Sequence, residues 1–134
     1  MDKPITTTTA ERVPLSLAIE RGYEINGPQI KGRYFAPVQG GTDTIGCCAI
    51  GAALLGAGIV SYPPSITTPR PDYWVMAVNY WDQRDAYQCR LHFNCPITPP
   101  DGFRGHIVNI AMHLNDHHGM EWKEIVKHLR RLSQ

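Results

Sequence analysis

A mainly α, small single-domain fold with a minor extended segment is what this sequence predicts, and three observations carry it. Apolar residues recur at helical spacing in several stretches, of which "WKEIVKHLRRL" near the C-terminus is the clearest. Alternation of apolar and polar residues at period two is confined to one stretch, "QCRLHFNC". The length, 134 residues, suits one domain with one modest core.

The elements follow in chain order. Residues 1–14, with four successive threonines between Pro4 and Pro14, carry no periodic apolar pattern and read as a flexible arm, leaving 15–134 as the globular domain. "LSLAIERGYEI" puts Leu15, Ala18 and Ile19 on one helical face, with Gly22 suited to a terminating cap. Glycines at 27, 32, 40 and 41 then break the chain, so "KGRYFAPV" is at most a brief extended piece. Thr42, Asp43 or Thr44 can cap a helix beginning near Ile45 and ending at Gly58 before Pro63 and Pro64. Along it Ala49, Ala53 and Ala57 form a small-residue stripe that invites close approach by another helix.

"DYWVMAVNYW" is apolar on nearly every side, and Asp72 favours a helix by supplying a cap. Residues 88–95 alternate as a half-buried strand. Ile107, Val108, Ile110, Ala111 and Leu114 suit a helix that stops at Asn115 and Asp116. Trp122, Ile125, Val126, Leu129 and Leu132 mark a second, so the last two form a helical hairpin on which the Cys47 to Ala57 helix is expected to pack.

Charge excludes little by itself: 13 basic against 12 acidic residues leave a net charge of +1, with no like-charge run that would mark a nucleic-acid surface. Lys123, Lys127, Arg130 and Arg131 crowd the end of the last helix, where they complement its dipole. The N-terminus lacks the apolar core of a secretory signal, so a cytoplasmic location is expected. The uncharged run at 45–60 is rich in glycine and shorter than the roughly 20 residues a membrane crossing takes, and no membrane contact is expected.

Three chemistries compete for the reactive residues. A structural zinc could use Cys89, His92 and Cys95, spaced C-x2-H-x2-C, with Cys47 or Cys48 completing the set. Strand alternation opposes this, because Cys89 and Cys95 would face the core while His92 faces away. Cys47 or Cys48 at a helix N-terminus could instead act as a thiolate nucleophile, with His118 as base and Asn115 or Asp116 orienting it, in a cysteine-dependent hydrolase or transferase. Buried cysteines are more commonly small packing residues, and that is the reading preferred here. His113 and His117 are four apart, but Asn115 and Asp116 between them favour ending the helix before His117, which would take the pair off one face. "GGTDTIG" lacks the spacing of the phosphate-binding and dinucleotide-binding loops, and no cofactor is expected.

Tyr73, Trp74, Tyr80, Trp81 and Tyr87 cluster in one region and serve either a core or a partner surface. The functional expectation is therefore a non-enzymatic accessory or inhibitory protein that binds a protein partner, these aromatics being the candidate contacts. The alternatives are the thiol enzyme and a zinc-stabilised module touching nucleic acid weakly through the basic last helix.

"CCAIGAALLG" followed later by "HLNDHHGMEWKEIVKHL" resembles a loose set of small bacterial and bacteriophage proteins of uncharacterised function. They share a Cys-x-x-Gly-Ala helix start and a Leu-Asn-Asp-x-His segment before a final helix, matched here by Cys48, Gly51, Ala52, Leu114, Asn115, Asp116, His118, Ile125 and Leu129. Met120 and Glu121 depart from it, standing where an aromatic and a hydroxyl cap are usual. The resemblance implies a mostly helical cytoplasmic domain and a phage or mobile-element origin, and no chemistry.

Overall fold

Helical spacing in the sequence becomes a helical core in the computed structural model, which describes residues 12–38, 45–64, 72–81, 87–88 and 104–132, the short pieces 87–88 and 104–105 by backbone alone. Among them lie α1 (Leu15–Ile25), β1 (Phe35–Pro37), β2 (Ile45–Cys47), α2 (Ala49–Gly56), α3 (Tyr73–Tyr80), β3 (Tyr87–Gln88), β4 (Arg104–Gly105), α4 (Ile107–Asp116) and α5 (Trp122–Arg131). The protein is mainly α, with two short antiparallel ribbons, β1–β2 and β3–β4. No described helix is long and apolar enough to cross a membrane.

α2 is apolar all round, and burial on every side follows: its residues 49 to 55 are all buried. Its main partner is α1 rather than the α4–α5 hairpin, which corrects the packing expected from sequence. The approach is closer than side chains would allow. A Cβ added to Gly22 would stand 1.8 Å from the carbonyl oxygen of Ala52, and one added to Gly56 would stand 1.9 Å from that of Ala18. The crossing is thus made through Gly22, Ala18, Ala52 and Gly56, a different face of α2 from the Ala49–Ala53–Ala57 stripe. Gly22 is accordingly not a helix terminator: α1 runs on to Ile25 and is capped at Asn26.

α5 lies against α1, where Trp122 stacks on Tyr23 at 5.3 Å and Arg130 pairs with Glu20 at 2.9 Å across the exposed rim. α4 packs on both α2 and α5, and α3 on α2, so that Leu54, Ile110, Leu114, Ile125 and Leu129 meet in a centre with no exposure. Residues 12–14, expected to close the flexible arm, lie along the end of α3. Val13 donates its N–H to the Tyr80 hydroxyl and accepts from the Trp81 indole, while Arg12 reaches the carbonyls of Asn79 and Tyr80.

The sequence misplaces one boundary. Ile45–Cys47 is not the first turn of a helix but strand β2, in register with β1 as Phe35↔Cys47, Ala36↔Gly46 and Pro37↔Ile45. Cys47 also trades backbone hydrogen bonds with Pro28 and Ile30, at 3.0 Å each. α2 begins only after Cys48, its cap, and runs to Gly56 with Ala57 as its C-cap, Gly58 taking the expected terminating role one residue beyond with a φ of +77° that suits glycine. The expected caps at 42–44 and most of the expected strand at 88–95 lie outside the described residues.

Candidate functional site

The two adjacent cysteines occupy different elements and do different work. Cys47 ends β2 with its thiol beside Asn26, 3.8 Å from both the side-chain nitrogen and the carbonyl oxygen. The Tyr23 hydroxyl donates to its carbonyl at 2.8 Å. Cys48 caps α2, its Sγ accepting the Gly51 N–H at 3.4 Å. A helix N-terminus would ordinarily favour thiolate there. Burial wins instead: it pushes the Cys48 thiol up to about 12, against the lowering effect of the Gly51 and Ile50 amides, and the Cys47 thiol up to about 11. Both are thiols, not thiolates, at neutral pH.

Two consequences can be measured. Iodoacetamide at pH 7.5 should modify Cys47 and Cys48 at least roughly a hundredfold more slowly than a model thiol, read site by site by peptide mass spectrometry; rapid labelling of Cys48 would contradict its burial. In the unfolded chain these thiols ionise near 9, so the unfolded state holds fewer protons above that pH. The stability due to the neutral thiols is complete below pH 9 and is lost progressively as pH rises from 9 through 11 to 12. Denaturant melts at pH 8 and 11 report the thiols together with the Tyr23 and Tyr34 hydroxyls, which burial also raises, and the same melts of Cys47→Ala and Cys48→Ala isolate the thiol share.

The Leu-Asn-Asp-x-His segment centres on Asn115, which is completely buried near the end of α4. Its Oδ1 accepts from Gln29 Nε2 at 2.7 Å and from the Ala49 N–H at 3.1 Å. Its Nδ2 donates to the Ile30 carbonyl at 2.9 Å and to Asp116 Oδ1 at 2.8 Å. Gln29 passes the network on, donating to the Met120 carbonyl and accepting the Trp122 N–H, both at 2.8 Å. One amide therefore satisfies a first-turn donor of α2, ties down the loop before β1 and, through Gln29, fixes the start of α5. Nothing in the sequence distinguished this from a helix-stopping asparagine.

His118, the expected base, does not meet Cys47 or Cys48; its Nε2 lies 3.1 Å from Nε2 of His113. Asp116 comes nearer the thiol, its charge helping to raise Cys48, but its Oδ1 accepts from Gly32 N–H and Asn115. The helix also outlasts expectation. α4 continues through Asp116, and the His117 N–H bonds to the His113 carbonyl at 2.9 Å, so His113 and His117 do share a face, with ring centroids 5.4 Å apart. A shallow pocket of about 180 Å³ opens here, lined by Asn109, Met112, His113, Asp116 and His117. Burial first, and the neighbouring His118 and His117 rings second, lower His113 to about 4, while burial also lowers His118.

The aromatic candidates divide. Tyr73 and Trp81 are core residues, each 5% exposed, and Tyr73 meets Phe35 edge-on at 5.2 Å. Tyr80 is half-buried under Arg12. Trp74 is 42% exposed beside Val75 at 40%, its indole N–H held by Asn109 Oδ1 at 2.9 Å. The Tyr87 side chain, like Cys89, His92 and Cys95, lies outside the described residues. Among the described residues no three His, Cys, Asp or Glu side chains converge on a point that could hold a metal ion. Comparison with protein families, characterised proteins and solved structures finds no match to this chain.

Proposed function

We propose that this chain is a non-enzymatic, cytoplasmic accessory or inhibitory protein of phage or bacterial origin that binds a protein partner through the exposed face of α3. The exposure of Trp74 and Val75, neighbours on a helix whose end aromatics Tyr73 and Tyr80 are buried and half-buried, supports the reading best. The Asn109 bond fixes the indole, so its apolar surface can be covered at little further entropic cost. Nucleic acid is the less favoured partner, because Arg130 is engaged by Glu20 and Lys127 by Glu124 on the basic helix.

A photo-crosslinking amino acid at position 75, in cells that naturally carry the protein, should yield one discrete adduct. Trp74→Ala should reduce that adduct at least roughly tenfold without changing the melting temperature, since the ring is a surface group. No adduct, or one indifferent to Trp74→Ala, would sink the proposal.

A further inference from the structure

We infer that the hydrogen-bonded rings of His113 and His118 form a proton-operated latch on the turn between α4 and α5, closed at neutral pH and released in mild acid. Their Nε2 atoms are 3.1 Å apart, with the ring planes at 85°. One Nε2 must donate and the other accept, so the contact needs a lone pair on one ring. A proton added to the donating ring leaves the bond in place and makes it charge-assisted. A proton added to the accepting ring removes that lone pair and sets two cations face to face, and the contact cannot survive it.

The pair closes a turn that other elements depend on. The N–H groups of His117 and His118 both bond to the His113 carbonyl, at 2.9 and 3.3 Å, Gly119 reverses the chain with φ at +62°, and the Met120 N–H returns to the Leu114 carbonyl at 3.0 Å. His118 is thereby folded back against the buried ring of the residue five before it. The Met120 carbonyl accepts from Gln29, which also holds the Trp122 N–H at the start of α5. Release of the rings thus loosens a turn whose far side is tied to the network around Asn115.

The surrounding charges set the direction of the response. His117 once protonated, its ring centroid 5.4 Å from that of His113, and the Lys31 ammonium, which lies against Gly119, oppose a cation here. The Asp116 carboxylate on the pocket wall favours one, but its Oδ1 already accepts from the Gly32 N–H and Asn115. α2 brings Cys48 and the loop before β1 brings the Tyr34 hydroxyl, both neutral at this pH. From α5 come the buried His128 and, at its start, the exposed Glu121. Burial first, then the neighbouring rings, hold His113 down to about 4 in the closed turn, and burial lowers His118, whereas the rings of an opened turn titrate near the ordinary 6.5. The open form binds more protons, so closure is fully favoured above pH 6.5 and is lost progressively as pH falls through 6.5 toward 4.

The test is amide hydrogen exchange on the full chain at about pH 7 and about pH 5, above the ordinary carboxylate midpoints. The Met120 amide should lose protection at least roughly tenfold between the two, because opening lets one ring rise from about 4 to the ordinary 6.5. The Ala52 amide, bonded to the Cys48 carbonyl at 2.9 Å, should change by less than about threefold. His118→Gln supplies an amide that donates to neutral His113 and accepts from its cation, so it should cut the loss at Met120 to less than about threefold. Equal Met120 protection at the two pH values in the unaltered protein would overturn the inference. So would an equal loss at Ala52, which is global unfolding, or a full loss at Met120 in His118→Gln, which places the acid sensitivity elsewhere.

Discussion

Gly22→Ala should abolish the native fold or cost about 4 kcal/mol or more, although alanine is the better helix former by about 1 kcal/mol. The new methyl would lie 1.8 Å from the Ala52 oxygen, 2.3 Å from its carbonyl carbon and 2.7 Å from its Cα. All three are backbone atoms of α2, so no rotamer change relieves the overlap; the helices must separate and leave unfilled space along their whole seam. Ala52→Gly should fail to rescue it for the same reason. Gly56→Ala meets the Ala18 oxygen at 1.9 Å and the Gly22 nitrogen at 2.7 Å and should be as severe. Gly27→Ala is the control: the glycine is exposed, its nearest contact would be 3.9 Å away, and a change within about 0.5 kcal/mol is expected. Urea melts of the four variants decide it, and a soluble Gly22→Ala protein within 1 kcal/mol of the parent, on the order of an ordinary surface change, would refute the close crossing.

Such a crossing explains what sequence could and could not disclose. Features set within one turn of helix were legible: Asp72 does cap α3 through the Val75 N–H at 3.1 Å, Gly58 does end α2, and the apolar face of α5 is buried at Ile125, Val126 and Leu129. Gly22 was not, because a glycine near a helix end looks like a terminator until the distant Ala52 backbone is known to lie against it. The boundary at Cys48 was hidden for a similar reason. Residues 45–60 are uncharged throughout, so periodicity offers no mark where strand gives way to helix, and only pairing with Phe35–Pro37 decides it. The histidines were missed through a local rule applied correctly in the wrong context. Asn115 and Asp116 do favour helix ends in isolation, but four hydrogen bonds to the buried Asn115 side chain hold them helical, and this carries His117 onto the face of His113.

Asn115→Ala should therefore cost about 3–5 kcal/mol, well beyond the loss of its small side-chain volume. Each hydrogen bond contributes about 1 kcal/mol net, but a buried partner left unsatisfied costs about 1–3. The Ala49 N–H is the most exposed to this penalty: as a first-turn amide it has no carbonyl four residues back, and Ala49 has no solvent exposure. Gln29 retains its bond to Met120, so the loss there is smaller, and Gln29→Ala should cost about 1–2 kcal/mol. Asn115→Asp separates acceptor from donor. It keeps an oxygen for Gln29 and Ala49, loses donation to Ile30, and sets a second carboxylate against Asp116, so it should be destabilised at pH 7 and partly recover as pH falls toward 4. Hydrogen exchange adds a readout that mere cavity formation would not give: the Ala49 amide should lose protection in Asn115→Ala before the rest of α2 does. Unchanged protection at Ala49 would show that the hub does not govern that helix start. The same variant should loosen the turn through His117 and His118, because Asn115 is what keeps the last turn of α4 wound.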